Sequence, residues 1–358
     1  MLQGDPDQAA DPASYEPGQL VVWHDHADAA QAFGAAVAQA GYRLRARRSL
    51  ANLGVVQTVL GLPPGTSVPD ARAALSAQFP DAVIDANHRY RPLAAKNALA
   101  AVAWRPAAVV CAGAATVGMV DTTVEISVPP LAGRDVEQHS VLPAGLAIAP
   151  ADHGSAVALR LASLLPGADL RIAAVFRRRE SADGEVIVDT TAEWLLRALN
   201  WLAGQGVAAI NLSLGGPPNQ LLALAVQRLD ALGIGLVAAA AESGPEGPPA
   251  YPAAYPAVIA VTAVDLDMAA YPRARHGPQI DFAAPGVDLR LPGINPYLTG
   301  TSHAAPFVTA ALIAAAGSEK TLAATARDLG ATGRDPVFGH GLVRFTDLCG
   351  SPTRTQPQ

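Results

Sequence analysis

Apolar positions along the 358 residues fall into two textures. In the first, strand-like alternation is interrupted by helical spacing. Residues 19–24 alternate as a strand, and 27–40 are Ala-rich with helical spacing that stops at Gly41. Residues 42–48 and 55–62 read as two more strands, 69–79 as a helix opening on proline, and 82–85 as a short last strand. The order βαββαβ predicts a small α+β ferredoxin-like domain. With about 70 residues and a modest core such a unit is marginal alone, so it is expected to lean on a partner surface. In the second texture, apolar runs at 117–120, 170–175, 208–212, 235–240 and 258–263 alternate with helices at 154–165, 190–203, 220–232 and 302–316. Strands apolar on both faces and separated by helices predict an α/β domain, a parallel sheet sandwiched by helices. The expected organisation is a flexible segment 1–17, the small domain 18–92, a linker 93–111, the α/β domain 112–350 and a tail 351–358.

Composition narrows the classes. Half of the residues are hydrophobic, which excludes wholesale disorder. The 25 basic and 31 acidic residues give a charge of −6 without a basic cluster able to track phosphates, so no nucleic-acid partner is expected. The longest near-apolar stretch, 304–316, is broken by Pro306 and shorter than the roughly 20 residues that span a bilayer, so no membrane span is expected. Cys111 and Cys349 are too few for a disulfide scaffold and lack zinc-type spacing; one bridge and two free thiols are both open. Residues 1–17 are acidic and Pro-rich without a charged-then-apolar leader. That fits a cytoplasmic start or a mature terminus after signal removal, and only the second sits easily with a disulfide. His24 and His26 flank Asp25, which reads as a solvated strand end, so no metal site is expected there.

Ligands and catalysts in parallel sheets gather at the carboxyl ends of strands. Asp121 closes the strand 117–120, His153 precedes Gly154 at the start of a helix, and Ser302 opens the apolar helix 302–316. Serine is a poor nucleophile unless a base takes its proton, and that base must be oriented by a third group. Each residue alone also fits a plain role, helix capping for Ser302 above all. The turn around Ser302 is built of small residues, and a helix start supplies backbone N–H groups for a developing oxyanion.

The words around these residues are Val120-Asp121-Thr122, His153-Gly154-Ser155, Asn211-Leu212-Ser213-Leu214-Gly215-Gly216 and Gly300-Thr301-Ser302-His303-Ala304-Ala305-Pro306. With the order Asp, His, Ser they resemble the subtilisin-like serine peptidases, the subtilases, over roughly 112–348, with 255–265 and 281–286 included. The resemblance implies a serine endopeptidase acting on a polypeptide substrate through an acyl-enzyme. Ser302 would be the nucleophile, His153 the general base and acid, and Asp121 the orienting carboxylate. Ser213, Leu214 and Gly215 would bind the substrate backbone as an added strand, and the Ala-rich strand 238–241 would line an apolar specificity pocket. Residues 18–92 resemble the family's propeptide, an intramolecular partner that covers the site, with a cleavable junction between 87 and 106. No cofactor is required, and structural calcium, which the family often carries, is announced by no loop. Family habit implies an extracytoplasmic, secreted or periplasmic, location.

One departure bears on chemistry. Where the family has Gly-Asn after the strand 237–240, with the asparagine amide donating to the oxyanion, this sequence has Ala241-Glu242. An ionised carboxylate cannot donate, and loss of that donor costs about 10²–10³ in turnover, a figure measured on a member of that family. Burial and a neighbouring charge can keep Glu242 protonated, as sedolisins use an aspartic acid there; alternatively Glu242 swings outward, or the chain is an impaired pseudopeptidase that binds polypeptide or its own N-terminal domain. Thr123, where a glycine is usual, restricts the backbone beside Asp121.

Overall fold

The computed structural model describes residues 14–93, 115–129, 131–181, 183–289 and 298–345. The N-terminal unit comprises β1 (Tyr15–His24), α1 (Ala27–Gln39), β2 (Arg43–Leu50), β3 (Val55–Gly61), α2 (Val68–Gln78) and β4 (Val83–Pro92). Its antiparallel strands lie in the order β2-β3-β1-β4, the expected ferredoxin-like arrangement. β1 is apolar on both faces because both are covered. Leu20 and Val22 pack with Phe33, Val37 and Leu75 of α1 and α2. Val21 and Trp23 point the other way into the core of the large unit.

That unit continues with β5 (Thr116–Asp121), β6 (Val136–Ser140), α3 (Asp152–Leu164), β7 (Asp169–Ala174), β8 (Arg177–Glu180), β9 (Val186–Thr191), α4 (Ala192–Ala203) and β10 (Ala209–Leu212). Then come β11 (Leu214–Gly215), α5 (Gln220–Ala231), β12 (Gly235–Ala239), β13 (Ile259–Val264), β14 (Ile280–Pro285), α6 (Thr301–Ala314) and α7 (Glu319–Thr325). Seven parallel strands form a sheet in the order β14-β13-β12-β10-β5-β7-β6. The chain order reverses at β5, so the carboxyl end of β5 is the crevice where such sheets bind ligands. α3 and α6 cover one face. α4 and α5 cover the other, and the sheet of the N-terminal unit lies on their outer side: Trp23, Leu53 and Val55 share one core with Leu195, Leu199 and Leu222.

Polar groups fix this stacking. A helix start leaves backbone N–H groups without internal partners, and here β4 supplies acceptors. Asp85 Oδ2 accepts from Gln220 N of α5 at 2.8 Å, and Asn87 Oδ1 accepts from Glu193 N of α4 at 3.0 Å. Asn219 caps α5 from within and donates to the Ala86 carbonyl at 3.0 Å.

Several expectations need correction. The strand expected at 82–85 extends to Pro92 because β4 pairs beyond its own unit, with β9 and β11. β1 begins at Tyr15, inside the segment expected to be flexible. Thr190 is extended in β9 and Thr191 is the N-cap of α4, so that helix starts after the expected 190. At the strand end Asp25 and His26 are exposed, as expected, with Asp25 paired to Arg228 at 2.9 Å, but His24 is not: its imidazole is buried against Phe33, and burial pushes it down to about 4. Cys111 and Cys349 lie outside the described residues. Among the described residues no group of three or more His, Cys, Asp or Glu is arranged to hold a metal ion, and no single helix is long and apolar enough to cross a membrane.

Asp85→Ala removes the acceptor at the start of α5 and the partner of Arg72. The expected loss is about 1–2 kcal/mol of unfolding free energy in urea titration; an unchanged midpoint denies this cap a share in holding the two units together.

Candidate active site

β5 carries Asp121 to the crevice, fully buried. Its Oδ1 accepts from Thr122 N at 2.7 Å and lies 2.7 Å from His153 Nδ1. α3 can start this close to β5 because residue 154 is glycine. A Cβ there would sit 2.7 Å from Thr122 Oγ1 and 2.8 Å from the Thr122 and Thr123 carbonyl oxygens, too close for any side chain. Burial opposes a charge on His153, but the Asp121 carboxylate, by charge and hydrogen bond, and then Glu242 push the imidazole above its ordinary range. His153 Nε2 is buried and has no hydrogen-bond partner among the described residues.

α6 is held to the end of β10 by a side-chain relay that its own sequence requires. Pro306 has no N–H to give the Ser302 carbonyl four residues earlier. Ser213 Oγ donates to that carbonyl instead, at 3.0 Å. Ser213 Oγ receives from Asn211 Nδ2 at 2.9 Å, and Thr309 Oγ1 donates to Asn211 Oδ1 at 3.0 Å. Asn211 is thus fully buried and committed to the relay.

Two N–H groups at the start of α6 point out of the helix. Thr301 N donates to Glu242 Oε1 at 2.9 Å, and Ser302 N donates to the Leu93 carbonyl at 3.3 Å. The Ser302 hydroxyl donates to the Leu93 carbonyl and, at 3.2 Å, to the Ser213 carbonyl. Glu242 therefore faces the position beside Ser302 and does not swing outward. Burial pushes its carboxyl above the usual range, against the Thr301 N–H, Arg273 and His153, which favour the anion.

The end of β4 runs through this crevice. Arg89 and Tyr90 pair with Thr191 and Thr190 of β9, while Arg91 and Pro92 pair with Gly215 and Leu214 of β11. Leu93 N donates to the Ser213 carbonyl at 3.4 Å. The strand comes this near because Gly215 and Gly216 lack side chains. A Cβ on Gly216 would lie 2.5 Å from the Tyr90 ring, and one on Gly215 would lie 2.9 Å from Leu93 Cδ1. Leu93 faces an open cleft of about 350 Å³ bounded by Gly215, Ala241, Glu242, Ala250 and Arg273. Ala238, Ala239 and Ala240 lie in or beside β12 and are buried; of the stretch 238–241, Ala241 alone borders the cleft.

Of the residues singled out in the sequence, Asp121 pairs with His153, Ser213 with Ser302, and Glu242 with the Thr301 N–H beside Ser302, while Leu214 and Gly215 pair with the end of β4; His153 Nε2 and Ser302 Oγ are not hydrogen-bonded to each other. Sequence reasoning missed Leu93, placed in a linker, and the second flanking edge at Thr190 and Thr191, read as helix. The β-branched pair directly before a helical run was the available signal for the latter.

Residues 114–341 match the profile of the Subtilase family. The chain belongs to the subtilases. Among the relatives, subtilisin DY of Bacillus licheniformis is 37% identical over 165 residues, 42% of this chain and 59% of that protein. The thermostable alkaline protease of Halalkalibacterium halodurans (strain ATCC BAA-125 / DSM 18197 / FERM 7344 / JCM 9153 / C-125) is 32% identical over 210 residues, 53% of this chain and 56% of its own length. The minor extracellular protease Epr of Bacillus subtilis (strain 168) is 32% identical over 164 residues, 42% of this chain and 25% of Epr. The matched region therefore spans between a quarter and three fifths of these relatives. Among solved structures, fervidolysin from Fervidobacterium pennivorans superposes with a TM-score of 0.72 at 19% identity, over 96% of this chain and 62% of that one. That likeness is one of fold, and at such coverage it takes in the N-terminal unit as well as the subtilase unit.

The ring of His153 offers a direct check by NMR titration. Asp121→Asn removes the two largest causes that raise its pKa and leaves burial opposed only by Glu242, so the imidazole is expected to titrate at lower pH than in the unaltered protein. An unmoved value means the 2.7 Å contact does not govern the ring.

Proposed function

We propose that this subtilase is a serine endopeptidase and that residues 90–93 occupy its cleft as the first polypeptide it meets. The observation that carries the reading is the Leu93 carbonyl on the Ser302 N–H and hydroxyl, at the end of a strand hydrogen-bonded on both sides. A substrate added as a strand has this form. Ser302 Oγ attacks the Leu93 carbonyl carbon, and its proton passes to His153 Nε2, which has no hydrogen-bond partner among the described residues. Asp121 holds the other nitrogen and balances the imidazolium. The Ser302 N–H steadies the oxyanion, His153 returns the proton to the Ala94 nitrogen, and water then hydrolyses the acyl-enzyme. The hydroxyl now faces the Leu93 and Ser213 carbonyls, so the first transfer begins with a turn of the Ser302 side chain.

The N-terminal unit is then an inhibitory, propeptide-like domain, and the bond severed is Leu93–Ala94. A fluorophosphonate probe is expected to label the protein and to fail on Ser302→Ala. Intact mass of the active chain is expected to show fragments meeting at 93/94, with the full-length chain persisting in Ser302→Ala. Absence of labelling at every pH between about 4 and 9 removes the peptidase reading.

Glu242 sets the pH dependence. Protonated, its hydroxyl can donate to the oxyanion while Oε1 keeps the Thr301 N–H; ionised, it repels the developing charge. Catalysis needs Glu242 protonated and His153 neutral, and both groups are raised. Activity rises as His153 loses its proton and falls as Glu242 loses its own, giving a low bell. Glu242→Gln keeps a donor at all pH values, so the alkaline limb is expected to vanish in kcat measurements. A limb that persists in the variant belongs to another group. A catalytically impaired scaffold is the second reading, favoured by the same carboxyl. Under it Glu242→Asn restores turnover by about 10²–10³-fold near neutral pH, whereas an efficient acid-active enzyme gains little at its optimum.

An extracytoplasmic location is part of this proposal and is supported by the relatives, among them the minor extracellular protease Epr of Bacillus subtilis (strain 168).

A further inference from the structure

The hairpin β8–β9 extends the antiparallel sheet of the N-terminal unit to the order β2-β3-β1-β4-β9-β8, so one sheet spans both units. Where the hairpin meets β1 and β4 lies a cluster of part-buried charges around one fully buried carboxylate. Asp189 is fully buried, with Oδ1 2.8 Å from Arg177 Nε and Oδ2 2.7 Å from Arg179 Nε. Arg89 Nε is 3.9 Å from the same Oδ2 and 2.9 Å from Glu16 Oε1, which also accepts from Arg177 Nη2. The Arg177 guanidinium lies over the Trp194 ring at 5.0 Å. Two carboxylates thus serve three guanidinium groups, and the subtilase unit contributes Asp189, Arg177 and Arg179 while the N-terminal unit contributes Glu16 and Arg89.

An extended peptide in the cleft cannot reproduce this contact. Residues 90–93 reach Ser302 along β4, but Glu16 stands on β1, 73 residues from Arg89 in sequence. Only the folded N-terminal unit presents both to the hairpin. The site therefore reads a tertiary surface, upstream of the bond at Ser302 and separate from the recognition of substrate by β11.

We propose that the β8–β9 hairpin is a clasp specific for the folded N-terminal domain, and that its charges set how slowly this domain leaves the enzyme once the chain is cut. The proposal rests on the reading of that domain as a separable inhibitor. Access to Ser302 then depends on the tail 90–93 peeling from β11, while the domain stays in place. Burial makes the clasp outweigh the rim pairs of the same interface. Removing one partner of a buried ion cluster strands the others and acts on dissociation. Asp25–Arg228 is the contrasting pair, at 2.9 Å with the two side chains 63% and 41% exposed, where screening leaves little.

The test uses the full chain with Ser302→Ala, a foreign protease site placed between residues 98 and 103, and a C-terminal tag on resin. Cutting with the foreign protease makes the outcome independent of whether the enzyme cleaves itself. The N-terminal fragment is expected to stay on the resin through extended washing. Glu16→Gln is expected to speed its release about 30-fold, and Asp25→Asn by no more than about fivefold. Arg177→Lys, which leaves the fragment untouched, is expected to act in the same direction as Glu16→Gln and decides the matter if circular dichroism shows the Glu16 variant unfolded. Loss of the unaltered fragment in the first wash overturns the proposal. So does release from Asp25→Asn as fast as from a folded Glu16→Gln variant, or no acceleration by Arg177→Lys.

Discussion

Two backbone N–H groups at the start of α6, on Thr301 and Ser302, have no partner inside the helix and point into the crevice at the end of β5. They divide between the Glu242 carboxyl and the Leu93 carbonyl. Much else in the molecule keeps that helix end where it is. Pro306 denies the Ser302 carbonyl its helical donor, and the vacancy is taken by Ser213, which Asn211 and Thr309 hold in turn. Because Ser213 also accepts from Leu93 N through its carbonyl, the residue that anchors α6 is the one that aligns the strand in the cleft. An unpaired buried polar group costs about 1–3 kcal/mol, so each link is constrained by the next.

The N-terminal unit shares the core of the subtilase unit and cannot be understood apart from it. β1 is apolar on both faces because one faces α1 and α2 and the other faces α4 and α5. Asp85 and Asn87 complete helix starts that belong to the other unit. The same strand that makes these contacts runs on into the cleft, so burial at the interface and occupancy of the site are coupled through β4. The coupling gives a physical reason for a small domain to persist on a larger one.

Glu242 is where local rules and catalytic geometry meet. A carboxylate beside a helix start is electrostatically welcome, which accounts for its bond to Thr301 N. Under the proposed peptidase reading it would also lie beside a developing oxyanion, where it is unwelcome unless it carries a proton. Burial favours the proton, while Arg273 and His153 oppose it.

The sequence by itself determined the ferredoxin-like order, the central strands and helices of the parallel sheet and, through its motif words, the candidates Asp121, His153 and Ser302, because apolar periodicity and short motif words are local properties; β6 and α7, short and largely polar, were not read. It also exposed Glu242 as a departure, since a single substitution inside a known word is visible without coordinates. Only the tertiary structure decided that β4 runs on to Pro92, that Leu93 stops at Ser302, and that Glu242 turns toward Thr301. The hairpin β8–β9 escaped notice for the same reason. Its first strand, Arg177–Glu180, carries no apolar run and is held by pairing with β9 and by Asp189. Such elements take their structure from partners far away in the chain, and contacts between distant residues leave no period along it.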